Sequence, residues 1–171
     1  MTDQTPETNA TPQNAEMPAA DAMFTMKKLY VKDLSFEVPG APDTFKLDYN
    51  PEIKMEMNSQ SRSTGEDEYE VNLSVTLNAI QNEKTIFVVE VQQAGIFDIK
   101  GIDEINMRHT LSAYCPSILF PYLRETISNL VSRGGFPSLL LAPVNFDQLF
   151  LSQLEKEKQE SETAQTSETE Q

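Results

Sequence analysis

An α+β domain is what this sequence predicts: a four-stranded antiparallel sheet with two C-terminal helices packed on one face. Three observations carry that expectation. Residues 69–79 alternate strictly, with Tyr69, Val71, Leu73, Val75, Leu77 and Ala79 apolar and Glu70, Asn72, Ser74, Thr76 and Asn78 polar, the period of a half-buried strand. Three other extended stretches lie before or just after it, and all four precede the first helical periodicity. Finally, residues 114–150 concentrate apolar mass in two helical segments separated by an explicit stop, Gly134-Gly135 followed by Pro137.

Taken in order, residues 1–22 are rich in Thr, Pro, Gln, Asn and Ala and have no periodicity. They bury too little apolar surface to offset the entropy of ordering and are expected to be a disordered tail. The folded domain is expected over 23–158, and 159–171 is expected to be a disordered acidic tail. From 24 to 38, Phe24, Met26, Tyr30, Leu34, Phe36 and Val38 share one parity while Leu29 and Val31 fall on the other. Lys28 and Lys32 interrupt the first set, which predicts a long strand with a bulge near its middle. Residues 39–51 hold three prolines and a glycine and read as a loop. Residues 52–57 alternate, with Ile53, Met55 and Met57 on one face and Glu52, Lys54 and Glu56 on the other, and 58–67 read as a polar loop.

A turn at 81–84 leads to Ile86–Val91, apolar on both parities until Glu90. A strand buried on both faces in so small a sheet needs cover, and a second subunit is the simplest source. Gly95 and Gly101 flank a further short extended piece, and a helical reading begins near Ile102. Pro121 cannot donate to the Ser117 carbonyl, so this helix is either bent there or preceded by a separate turn. Leu119, Leu123, Ile127, Leu130 and Val131 form its apolar stripe, and it should end near Arg133. The second helix starts at Phe146, capped by Asn145 with Gln148 three residues on.

The 171 residues suit one domain, and 39% of them are hydrophobic. The net charge of −14 is shared: each tail carries −4, leaving −6 for residues 23–154. That disfavours nucleic acid as a partner and favours a basic one. No apolar run approaches a membrane span and no signal-peptide pattern opens the chain, so a cytoplasmic protein is expected. One cysteine, Cys115, precludes an internal disulfide.

Catalytic machinery is not visible. His109, the sole histidine, and Cys115 would lie about 120° apart on one helix, so a Cys–His pair or zinc site is not expected. Phosphate-binding glycine loops are missing, and the acids Glu66, Asp67, Glu68 and Glu70 lack the spacing of a calcium loop. The chain therefore reads as a non-enzyme without a metal or cofactor.

Two surfaces remain. One sheet face collects Asp33, Glu37, Glu52, Glu56, Glu70 and Glu90 around Val88, and either keeps the protein soluble or docks a basic protein. The other candidate joins Phe45 and Tyr49 to Ile53, Met55 and Met57; it either closes the core or forms an adaptable apolar groove.

The strings LYVKDLSFEVPGAP, FVVEVQQAGIF, AYCPSILFPYLRETI, LVSRGGFP and LLLAPVNFDQLF resemble the bacterial protein-export chaperone family SecB, over about 24–154. The resemblance implies a homotetramer, a dimer of dimers, acting as an ATP-independent holdase. Such a holdase binds unfolded precursor proteins, keeps them translocation-competent and delivers them to the SecA motor. It further implies that Phe45, Tyr49, Ile53, Met55 and Met57 line the client groove and that Asp33, Glu37, Val88 and Glu90 dock SecA. Val89, Val91 and Gln93 would lie near the subunit interface. Two features depart from the family: Tyr49 stands where relatives can carry tryptophan, and both tails exceed the family core. Other readings are a small-molecule-binding or isomerase-like α+β domain, and a SecB-like chaperone serving a toxin–antitoxin system.

Overall fold

The computed structural model describes residues 22–168. Strands β1 (Met23–Glu37), β2 (Glu52–Gly65), β3 (Glu68–Gln81) and β4 (Lys84–Lys100) form one antiparallel sheet in the order β1-β4-β3-β2. The expected N-terminal tail lies outside the described residues but for Ala22.

Two tight hairpins build β2–β3–β4. Asn82 and Glu83 both take positive φ, 51° and 62°, the mirror-image turn whose twist suits paired strands. At the other hairpin the turn is only Glu66-Asp67, so β2 continues to Gly65 where a polar loop was expected from residue 58. The pairing of Asn58 with Ser74 through Ser63 with Tyr69 explains the difference. An edge strand over a partly covered face tolerates polar side chains on both sides, so it lacks alternation while keeping its backbone ladder. Likewise β4 runs unbroken through Gly95.

β1 carries two bulges, between Met26 and Lys28 and between Val31 and Asp33. Each inserts a lysine, Lys27 or Lys32, and each reverses the parity of the residues beyond it. Phe24 and Met26, then Leu29 and Val31, then Leu34 and Phe36 thereby share one sheet face, as their pairing with Ile99, Phe97, Gly95, Gln93, Val91 and Val89 shows. The mixed parity in the sequence thus has a physical cause. A third irregularity, at Ala79/Ile80 opposite Ile86, lets Ile86 and Phe87 both be buried within one chain. The apolarity of residues 86 and 87 on both parities therefore does not require a second subunit.

Helix α1 (Glu104–His109), a π-helical turn (Thr110–Tyr114) and α2 (Cys115–Arg133) run on without a break. Asp103 caps α1, accepting from the Asn106 amide at 2.9 Å. In the π turn the Cys115 N–H reaches the Thr110 carbonyl, just ahead of Pro116, which has no N–H to give. The helix continues through Pro121, and what precedes it is the unbroken α1 and π-helical segment, not the separate turn that was one of the two expected alternatives. Leu119, Leu123, Ile127 and Val131 are fully buried against β3 and β4, and the helix stops at Arg133 with Gly135 at φ 86°. Gly134 lies against the Phe36 ring so closely that any Cβ would overlap it.

Helix α3 (Phe146–Glu168) begins as expected, with the Gln148 amide donating to Asn145 Oδ1 at 3.0 Å. It is helical as far as Glu168, into the stretch expected to be an acidic tail from 159; its Glu, Lys and Gln residues are good helix formers. Phe146 and Phe150 anchor it: Phe146 meets Phe120 edge-on at 5.8 Å, and Phe150 meets His109 at 5.3 Å. His109 Nε2 lies 2.7 Å from Asp147 Oδ1, and Arg108 pairs with Glu157. Cys115 is buried, which pushes its thiol up to about 12 and leaves it without thiolate character.

Candidate functional site

Because β1 and β2 are opposite edges, residues 38–51 must cross the sheet, and this crossing carries Phe45 and Tyr49. A short 3₁₀ turn (Asp43–Lys46) folds over Thr44, whose amide donates to Gly40 O at 3.0 Å. Gln81 pins the far end: its Nε2 donates to Asp48 O at 2.7 Å, and its Oε1 accepts from the Asn50 amide at 2.9 Å. Tyr49 is thus held between two anchored backbone positions.

Phe45 and Tyr49 both pack on Phe136, with ring centroids 5.3 and 5.7 Å away. Phe136 itself packs into the core with its ring tilted against Phe87 at 4.9 Å, and lies 6.4 Å from Phe36. A cavity of about 110 Å³ opens here, bounded by Phe45, Leu47, Tyr49, Ile86 and Phe136. Along β2, Ile53, Met55 and Met57 continue on the same sheet face, opposite Ala79, Leu77 and Val75. At the end of this row a larger cavity, about 260 Å³, separates β2 from α3. Met57, Ser59, Ser61, Leu111, Phe146, Leu149 and Phe150 line it. Met55, between the cavities, is 45% exposed, and Phe45 and Tyr49 are exposed by 52% and 40%. Ile53 to Met57 alone spans about 13 Å. Of the five residues expected to form a groove, Ile53, Met55 and Met57 share one face of the edge strand β2, while Phe45 and Tyr49 stand on the crossover against Phe136. Phe136, Ile86, Leu111 and Phe150 belong with them and went unassigned from sequence; Phe136 was hidden inside the helix-stop string GGFP.

The opposite face of the sheet is open, and its order comes from the register. Glu37 faces Val88, Ser35 faces Glu90, and Asp33 faces Gln92, so Glu90 lies diagonally between Asp33 and Glu37. Glu56, opposite Thr76, and Glu52 extend the acidic area, with Lys54 between them. These carboxylates gather at one end of the face around half-buried Val88.

Glu70 does not join them. It is only 4% exposed and is held by three groups: the Tyr30 hydroxyl, Arg62, and Lys32 Nζ at 3.0 and 3.1 Å. Ala94 lies opposite Tyr30 and is small enough for the tyrosine to lie across it to β3. The Tyr30 hydrogen bond foremost, then Arg62 and Lys32, hold the Glu70 carboxyl down at about 2 despite its burial. A neutralised carboxylate adds no field for a basic partner, so Glu70 leaves the acidic surface.

Val89, Val91 and Gln93, which the resemblance places near a subunit interface, are buried within the single chain. They occupy the helix side of β4 with 0%, 1% and 3% exposure, paired with Leu77, Val75 and Leu73 on β3. The Gln93 Nε2 donates to Tyr30 O at 2.9 Å. Odd positions of β4 face α2 rather than outward, so these side chains present no surface for a subunit contact.

Among the described residues no group of His, Cys, Asp and Glu could hold a metal ion, and no helix is long and apolar enough to cross a membrane.

Residues 17–157 match the family model of SecB, the preprotein translocase subunit. Among solved structures, the chain is similar to a SecB-like chaperone of Mycobacterium tuberculosis, solved in complex with a ChAD peptide from the HigA1 antitoxin. The two share 18% identity at a TM-score of 0.57, over 71% of this chain and 87% of that one. A protein of unknown function from Streptococcus agalactiae matches at 8% identity and a TM-score of 0.37, over 72% of this chain and 99% of its own. At that score the second likeness supports no argument. The family match spans most of the chain and the whole sheet and groove, so the chain belongs to the SecB family.

Proposed function

We propose that this protein is an ATP-independent holdase of the cytoplasm, which binds unfolded precursor proteins and delivers them to the SecA motor for export. The observation that carries the reading is the row of exposed apolar side chains Phe45, Tyr49 and Met55, continued by half-buried Met57, beside the free edge of β2. Methionines and aromatics offer contact area that adapts to varied side chains. An extended chain laid along the row presents alternate side chains to it, which folded proteins cannot do.

Energetics favour several grooves per particle. Ordering six residues of client backbone costs roughly 6 to 12 kcal/mol, and burying three or four large side chains returns about 5 to 12. One groove is therefore weak, and linking four in a homotetramer adds avidity of about 10² to 10⁴.

The test is capture of a slow-folding secretory precursor, held unfolded and then allowed to fold, with particle mass tracked by light scattering. Capture of the unfolded form only, by a particle of four subunits and without nucleotide, is the expected result; equal binding of the folded form would exclude the reading. Tyr49→Ala and Met55→Asp should each weaken capture roughly tenfold or more, with the oligomer intact. Full affinity in both variants would remove the groove assignment.

The acidic end of the open face, Asp33, Glu37 and Glu90 around Val88, is the proposed site for SecA. Glu90→Lys should abolish SecA binding in a titration and spare client capture; persistent binding would disprove the docking face.

A second reading draws on the mycobacterial neighbour, a SecB-like chaperone bound to an antitoxin peptide. A toxin–antitoxin chaperone would hold an antitoxin segment against a large excess of unfolded precursor, whereas an export holdase would exchange it.

A further inference from the structure

The open face contains a second device, at the β1 bulges. Lys27 Nζ lies 2.9 Å from both Glu68 and Asp98, and Lys32 reaches Glu70. Both inserted lysines thus turn onto the open face and pair with carboxylates of β3 and β4. Of the two clasps, the one at Lys32 is the more built. Its carboxylate is buried, receives Tyr30 and Lys32 from β1, and receives Arg62 from β2. The strands it joins lie at opposite edges of the sheet. On the helix face Gln93 donates to the Tyr30 carbonyl, so the second bulge is gripped from both sides.

The bulge has a geometric consequence. Before it the open face is read by even residues of β1, Lys28 and Tyr30; after it, by the odd residues Asp33, Ser35 and Glu37. Only the extra residue at Lys32 lets Tyr30 and the Asp33–Glu37 pair share that face.

We propose that Glu70 is a positioning residue for the docking surface: by holding Lys32 in the second bulge, it keeps Asp33 and Glu37 in register beside Glu90 and Val88. The inference rests on the docking role given above to Asp33, Glu37, Val88 and Glu90. Glu70 itself touches no partner. Its buried carboxylate acts through β1, and without it the strand beyond Val31 holds its carboxylates in more than one register.

The sign of the effect separates positioning from bulk charge. Removing Lys32 makes the face more negative, so a charge-only account predicts tighter binding of a basic partner; positioning predicts weaker binding. The full-length chain, with Lys32→Met, Lys32→Arg and Glu70→Gln variants and Glu90→Lys as control, is titrated with purified SecA, and client capture is measured in parallel. Lys32→Met and Glu70→Gln should bind SecA roughly tenfold more weakly, Lys32→Arg should restore wild-type binding, and all should capture client normally. Tyr30→Phe removes one hydroxyl only and should weaken docking in the same direction, which keeps the test decisive where another variant fails to fold. Equal or tighter docking by Lys32→Met, while Glu90→Lys fails to dock, overturns the positioning role and leaves the docking face intact. Failure of the wild-type chain to dock, or docking by Glu90→Lys, overturns the docking face and this inference together.

Discussion

Phe136→Ala is expected to destabilise the fold by about 3 to 5 kcal/mol and to weaken client capture at least tenfold. Phe136 is 7% exposed and its ring contacts Phe36, Phe45, Tyr49 and Phe87. Truncation removes the floor on which both exposed groove aromatics stand, so Phe45 and Tyr49 lose their fixed orientation while keeping their area. Denaturant unfolding measures the first effect and precursor capture the second. If stability falls as expected and capture is unchanged, the aromatic end of the groove does not bind client.

The second large effect concerns acid. A Glu70 carboxyl at about 2, against an ordinary 4.5, contributes stability that is complete above about pH 4.5 and lost as the pH falls towards 2. The shift corresponds to roughly 3 kcal/mol. Glu70→Gln lacks that contribution at every pH. Wild type should therefore exceed the variant by about 3 kcal/mol at pH 7, and the gap should close by about pH 2. Comparing the two proteins cancels the other titrating carboxylates, Glu68 and Asp103 among them, whose carboxyls are likewise held low. A gap that stays constant with pH would mean that the clasp contributes through packing, not through its charge.

Much of the fold was legible because its signals are local. The alternation of β3, the Gly134-Gly135 stop and the Asn145 cap each depend on residues within a few positions, and each stands where the sequence puts it. The shared face of Ile53, Met55 and Met57 was readable for the same reason, because it is announced by period alone. What failed depended on distant partners. Glu70 looks like one more surface acid until Tyr30 and Lys32, some 40 and 38 residues earlier, fold over it. The β1 irregularity was visible as mixed parity, but not that two bulges share the task or that lysine fills each. Residues 58–65 hid as a loop because an edge strand with polar residues on both faces carries no periodic signal. The burial of Val89, Val91 and Gln93 was legible too, because they share the parity of Phe87 and Phe97.

The sheet order β1-β4-β3-β2 has a kinetic corollary. The β2–β3–β4 meander closes through two short hairpins, each an event of microseconds. The pairing of β1 with β4 joins Glu37 to Val88 and Met23 to Lys100, so it closes the longest loops in the sheet and comes last. During synthesis β1 leaves the ribosome before β4, and its full partner exists only once the far end of β4 is made. Its row of Phe24, Met26, Leu29, Val31, Leu34 and Phe36 is for that interval an apolar strand with no mate, the same kind of segment that the finished groove is proposed to hold.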